Sequence, residues 1–201
     1  MDMRNTYSSA SSHENISAER LVMAAMFAAL TFVATSVIKL STPTFGYIHL
    51  GDCFVLLSGI LLGPVMGGLA AGIGSALADL LGGYALWVPG TFVIKMFTAS
   101  VAAIVYGALT KNGTGRASLK ASVPAGIAGE AVMVFGYFLY NIFVIAVSGG
   151  GFKASALIAA AAASLAEIPF NVVQGTAGIV LASALLPILV KVTDSLARHR
   201  A

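Results

Sequence analysis

Five ionisable side chains, Asp52, Asp79, Lys95, Glu130 and Glu167, fall in or beside long apolar segments of this chain. Centring one such group in a bilayer costs roughly 2.5–3.5 kcal/mol on insertion scales, so each needs a cavity, a partner or water. Aromatic and amide groups recur around them at helical spacing. Glu130, Val134, Tyr137 and Asn141 make one stripe, and Glu167, Asn171 and Gln174 make another. Tyr84 and Trp87 stand in a short loop between Asp79 and Lys95. Asn and Gln offer paired donors and acceptors, Tyr and Trp offer stacking faces, and carboxyls accept from ring or hydroxyl groups. Such a set suits a pocket for a small polar heterocycle. A purely structural role is the competing reading, with the two stripes hydrogen-bonding each other across helices. Asp79 and Lys95 either pair with each other or meet a solute. For Asp52, at a helix start, capping and the helix dipole already account for a carboxylate. Glu130 is nearer the cytosolic end of its span, where it contacts a partner or caps the helix.

The chemistry that is missing narrows the field. No phosphate-binding loop of the form G-x-x-x-x-G-K-[ST] occurs, so the chain is not itself the usual kind of ATP motor. H-E-x-x-H, G-x-S-x-G and Cys/His ligand clusters are also absent, and His13, His49 and His199 are scattered. Neither an enzyme, a metal nor a cofactor is expected. Cys53 is the single cysteine and rules out an intrachain disulfide. The net charge of +3 follows from membrane topology and makes no case for nucleic-acid binding.

The elements that position these groups are membrane helices. The chain is 58% hydrophobic and 9% charged, with a mean hydropathy of +0.93, too few charges to build a water-exposed surface. Its apolar runs are continuous rather than alternating, which selects helices over a β-barrel. The first span is expected from Leu21 to Ile38, capped by Ser17. Ala24, Ala25, Ala28 and Ala29 form two i,i+4 pairs on it, a face on which helix backbones approach closely. A polar outer loop through Ser41, Thr42, Tyr47 and His49 follows. Leu50 to Leu62 reaches only about 20 Å, short of the ~30 Å core, so that segment is thin, tilted or packed inside the protein. Gly63-Pro64 breaks it. The next helix, Val65 to Leu81, carries small-residue rows at Gly67, Ala71 and Ser75 and at Gly68, Gly72 and Ala76, and Asp79 continues the first row. Further spans are expected over Thr91 to Leu109 and Val123 to Val147.

The last apolar stretch, Ala154 to Val192, would be about 58 Å as a helix, nearly twice one crossing. Either it crosses twice, or an Ala-rich first part is a short helix, outside, interfacial or buried, broken before Pro169 and followed by one full span. Charge favours the latter. With six spans, Arg4, Arg20, Lys111, Arg116, Lys120, Lys191, Arg198 and Arg200 share one side against Lys39 and Lys153. The expected plan is an all-α membrane protein with a cytosolic, partly disordered tail over residues 1–17, unlike a cleaved signal peptide in its charges. A six-helix substrate-binding bundle over 18–193 and a cytosolic tail over 194–201 complete it.

The run YIHLGDCFVLLSGILLGPVMGGLAAGIGSALADLL, followed by GY and PGTFVIK, resembles the substrate-binding S components of energy-coupling factor (ECF) vitamin transporters, most of all the riboflavin-type subfamily. The resemblance is best over Gly46 to Lys95, and the six-span plan extends it. It implies a binding subunit in a prokaryotic plasma membrane that docks on a transmembrane coupling protein and two cytosolic ATPases. Ala24, Ala25, Ala28 and Ala29 would be its docking face. The ligand would lie toward the outside, under the first outer loop and against the last three helices. Relatives of this kind bind riboflavin, pyridoxine or hydroxymethylpyrimidine. With Asp79, Tyr84, Trp87, Lys95, Tyr137, Asn141, Glu167, Asn171 and Gln174 as the pocket and no cationic cluster, an uncharged aromatic heterocycle is expected. The outer loop would order over it on binding, and the ATPases would then reorient the subunit. The alternative is a stand-alone proton-coupled transporter in which Asp79, Glu130 and Glu167 carry protons.

Overall fold

A computed structural model describes residues 17–42, 47–111 and 117–198. Most of the expected N-terminal tail, the centres of the first outer loop and of the basic loop, and His199 to Ala201 lie outside the described residues. The described residues contain six α-helices and one two-stranded hairpin. Five helices are long and apolar enough to cross a membrane: α1 (Ala18–Val37), α3 (Pro64–Leu81), α4 (Val88–Thr110), α5 (Leu119–Ile145) and α6 (Ala154–Arg198). The remaining one, α2 (Asp52–Leu62), is 11 residues long.

Local signals explain most boundaries. Ser17 caps α1, its hydroxyl accepting from the Arg20 N–H at 3.4 Å, and the Arg20 guanidinium reaches the carbonyl of Leu62 at the end of α2. Gly63, at φ +87°, reverses the chain, and Pro64 starts α3 where its missing N–H costs nothing. Short α2 is packed inside the protein, touching α1, α3, α4, α5 and α6. The expected small-residue rows of α3 are buried and set the packing. Gly67 lies against the Ser58 backbone of α2, Gly72 against Phe92 of α4, and Gly74 against the Ala28 carbonyl of α1. An added methyl at any of the three would meet a neighbouring helix.

The polar outer loop carries a hairpin: Lys39–Ser41 (β1) and Tyr47–His49 (β2) pair antiparallel, with Lys39 opposite His49 and Ser41 opposite Tyr47. One expectation fails, for the last apolar stretch does not break before Pro169. α6 is a single 45-residue helix with Pro169 and Pro187 inside it. Each proline forfeits one backbone bond, a loss that the flanking Ala-rich turns and packed neighbours absorb. At 1.5 Å per residue α6 is about 67 Å long, about twice the ~30 Å apolar core.

The face expected on α1 also divides. Phe27, Thr31 and Thr35 point inward, and Ala24 and Ala28 pack against the core beside them. Ala25 and Ala29 are exposed on the other side. The two pairs sit one residue apart, about 100° around the helix, with Ala24 and Ala28 at the packed edge of the face and Ala25 and Ala29 at its open edge.

Candidate substrate-binding cavity

The hairpin closes one end of the bundle, and the polar stripes converge beneath it. A cavity there is lined by Asp79, Tyr84, Trp87, Tyr137, Asn141, Glu167, Asn171 and Gln174, with Thr35, Tyr47, His49, Ser75 and Thr91 completing the wall. The stripes of α5 and α6 are not bonded to each other among the described residues. They take partners from the hairpin, α4 and the loop before it.

Side-chain bonds to α3 and α6 tie the hairpin down. The Tyr47 hydroxyl donates to Asp79 Oδ1 on α3 at 2.6 Å, and the Thr42 hydroxyl donates to Glu167 Oε1 on α6 at 2.8 Å. The His49 backbone N–H donates to Gln174 Oε1 on α6 at 3.0 Å. Lys39 lies 4.4 Å from the Tyr47 ring centroid and 5.7 Å from that of Tyr84, over an aromatic group in which Tyr47 and Tyr84 are 4.9 Å apart. Burial, reinforced by Asp79, pushes the Tyr47 phenol far above its usual range, so it stays a donor. Burial also pushes the His49 imidazole down to about 3, and its neutral Nδ1 accepts from the Gly51 N–H at 3.0 Å.

On the facing wall the Trp87 indole N–H donates to Asn141 Oδ1 at 3.0 Å and the Tyr137 hydroxyl to Thr91 Oγ1 at 3.1 Å. Asn171 has no hydrogen-bonding partner among the described residues. Thr35 and Ser75 contribute buried hydroxyls without hydrogen-bond partners among the described residues, so the α1 and α3 side of the cavity also presents unmet polar groups.

Lys95 stands apart. Fully buried, it is paired with Asp52 and is absent from the cavity wall. Gln174 Nε2 donates to the other carboxylate oxygen of Asp52 at 2.6 Å, so one amide links the ion pair to the hairpin. Two readings of the sequence are thereby corrected. Asp79 and Lys95 do not pair with each other, and Asp52 is no mere helix-start carboxylate but the buried counter-ion of Lys95. The local reading failed because the partners of Asp52 lie 43 and 122 positions away. Thr35, Tyr47, His49, Ser75 and Thr91 were missed as wall residues. Small hydroxyls on an apolar helix look like packing, and Tyr47 and His49 carried no signal beyond their place in the outer loop.

The cavity holds about 50 Å³, room for a few water molecules. Binding sites for drug-sized ligands run to ~300–1,000 Å³, so a heterocycle enters only if a wall moves. The hairpin is a wall joined to the helices through side-chain bonds to α3 and α6. No group of three or more potential metal ligands occurs among the described residues.

Comparison with known proteins agrees with this architecture. A sequence model of the family described as ECF-type riboflavin transporter, S component, matches residues 15–191. A protein of Pyrococcus woesei, described as an uncharacterized protein in gap 3'region, is 31% identical over 160 residues, covering 79% of this chain and 93% of that relative.

Proposed function

The chain belongs to the ECF-type riboflavin transporter S component family, and from that premise we propose that it captures an uncharged aromatic vitamin of the riboflavin, pyridoxine or hydroxymethylpyrimidine type beneath the hairpin. The family is one of transporters, and the chain is a multi-pass integral protein of the prokaryotic plasma membrane. The observation that carries the reading is the convergence of Tyr84, Trp87, Tyr137, Asn141 and Asn171 on one cavity. Aromatic faces sandwich a ring, and the two amides read its edge. Asp79, Glu167 and Gln174 serve twice, holding the hairpin and facing the solute. Lys95 acts indirectly, positioning Asp52 and through it Gln174.

In the proposed cycle the hairpin lifts by releasing its side-chain bonds to α3 and α6, the vitamin enters, and the hairpin closes again over it. α2 makes the sixth crossing as a short helix inside the protein, and both termini are cytosolic, the side that collects the basic residues. A transmembrane coupling protein and two ATPases then reorient the whole subunit. The exposed pair Ala25 and Ala29 forms the seam on which it slides, because small side chains unlock at low cost.

The test is purification and reconstitution. Denaturing the purified protein should release a vitamin identifiable by mass and ultraviolet spectrum, and uptake into liposomes should need ATP and the coupling proteins. Uptake by the lone protein down a pH gradient, lost in Glu167→Gln, would refute the proposal. Ala25→Leu with Ala29→Leu should abolish assembly with the coupling protein while leaving vitamin binding intact.

A further inference from the structure

The wall of the cavity is divided by chemistry. Tyr84 and Trp87 of the loop before α4 and Tyr137 of α5 supply rings, whereas α6 supplies only polar groups, Glu167, Asn171 and Gln174. Gln174 has both ends of its amide engaged, by the His49 N–H and by Asp52. Glu167 accepts from the Thr42 hydroxyl on one oxygen and has no second hydrogen-bond partner among the described residues. Unlike the carboxyl of Glu130, whose two oxygens are buried without partners, its second oxygen stays accessible from the cavity that Glu167 lines.

As a carboxylate, Glu167 can only accept, so the ligand group that stands against it must be a donor. Riboflavin, pyridoxine and hydroxymethylpyrimidine each carry a primary hydroxyl, which is such a donor and is also a place where a phosphate can be attached. Charge makes the two forms unequal. Asp79 and Glu167 put two carboxylates in the wall, and no cation joins them there among the described residues. Lys95 is committed to Asp52, Lys39 lies over the Tyr47 and Tyr84 rings and is no part of the wall, and burial holds His49 neutral. A phosphate monoester carries about −1.5 to −2 charges at pH 7. Like charges brought together at a desolvated contact are strongly disfavoured, which is how a site turns away a wrong ligand.

Given the vitamin site proposed above, on which this step rests, we infer that the cavity takes the vitamin as the free alcohol and rejects its phosphate ester, with Glu167 as the residue that discriminates. Its open oxygen accepts from the ligand hydroxyl, and its charge repels a phosphate in the same place. Asp79 adds to that repulsion from α3. A phosphate ester outside the cell must then be hydrolysed before this chain can carry the vitamin, water cleaving the P–O bond to leave the alcohol and inorganic phosphate.

The experiment uses the full-length protein in lipid nanodiscs, freed of copurified ligand. Binding is read by calorimetry and by the fluorescence of Trp87, the single tryptophan and a wall residue. Riboflavin, pyridoxine and hydroxymethylpyrimidine are titrated first, followed by the phosphate ester and the acetate ester of whichever binds. The phosphate ester should bind about a hundredfold or more weakly than the free alcohol. The acetate ester adds bulk and loses the donor without adding charge, so it should fall between the two. Glu167→Gln should bring the two esters within about tenfold of each other, and should that variant not assemble, the gap between the esters on the unaltered protein decides. A phosphate ester that binds as well as the alcohol, or no worse than the acetate, would overturn the inference and leave the vitamin site standing. A gap between the esters that Glu167→Gln leaves unchanged would overturn the role of Glu167. Binding of none of the three vitamins would overturn the site itself, and the inference with it.

Discussion

The cavity beneath the hairpin and the groove around Glu130 are built on the same two helices, α5 and α6, from stripes of the same composition. At the hairpin end, Tyr137, Asn141, Glu167 and Gln174 each hold a partner, and the space between them has shrunk to about 50 Å³. Further along α5, Glu130 holds none, and the space is about 580 Å³. The difference is made by elements that reach one region and not the other. Hairpin, loop and α4 bring donors to the first. Among the described residues none of the elements around Glu130 brings a donor within hydrogen-bond reach of its carboxyl. Polar residues at helical spacing thus say where a site is permitted, and third elements decide whether it is filled from within.

The largest expected effect tests that contrast through the ion pair at its centre. Lys95→Met leaves Asp52 buried without its counter-ion and should cost about 3–5 kcal/mol of stability, measured by reversible unfolding in mixed micelles. Glu130→Gln, which breaks no bond, should change stability by less than about 1 kcal/mol. Equal losses in the two variants would mean that Glu130 is a packed structural carboxyl after all, and the comparison would fall.

A smaller effect is expected where the hairpin meets α3. Tyr47→Phe removes the donor to Asp79 and should weaken closure by roughly 1.5–3 kcal/mol, seen as faster amide exchange across residues 39–49 with the helices unaffected. Uniformly faster exchange would show that the hairpin does not open separately from the bundle. Smaller again, Asn171→Ala should lower vitamin affinity about tenfold at unchanged stability, because its amide is bonded to nothing among the described residues. Asn141→Ala should lose affinity and some stability together, since it also strands the Trp87 indole N–H. Unchanged affinity in both variants would make the stripes structural.

These contrasts were legible in the sequence to different depths. Apolar run length, with the Gly63-Pro64 break, was enough to place α1 to α5 within a few residues, because bilayer thickness fixes what a helix must be. The continuity of α6 was not, since Pro169 reads as a stop by rules learned in water, whereas a packed helix in lipid has no better conformation to break into. Three-residue strands are too short to show an alternating pattern, so the hairpin was invisible. The residues around the cavity were recognisable from their types, but the pairings were not. Nothing local to Asp52 or Glu130 says that the first pairs with a lysine on α4 and that the second, among the described residues, has no hydrogen-bond partner.

A further, pH-dependent effect concerns how tightly the hairpin end is held. Burial holds His49 near 3 against an ordinary value of 6.5, with Asp52 pulling the other way and Lys95 and Lys39 adding to the depression. A lifted hairpin regains the ordinary value and takes up a proton that the closed one refuses. The contribution of His49 to closure is therefore complete above about pH 6.5 and declines as pH falls toward 3, by at most about 1.4 kcal/mol per pH unit for one proton. Amide exchange at residues 47–51 should quicken between pH 6 and pH 4 beyond its intrinsic pH dependence, and His49→Gln, which cannot take up that proton, should flatten the trend. Parallel trends in the two proteins would place the imidazole in contact with water while the hairpin is shut, and the cavity beneath it would then be as open to its surroundings as the groove around Glu130.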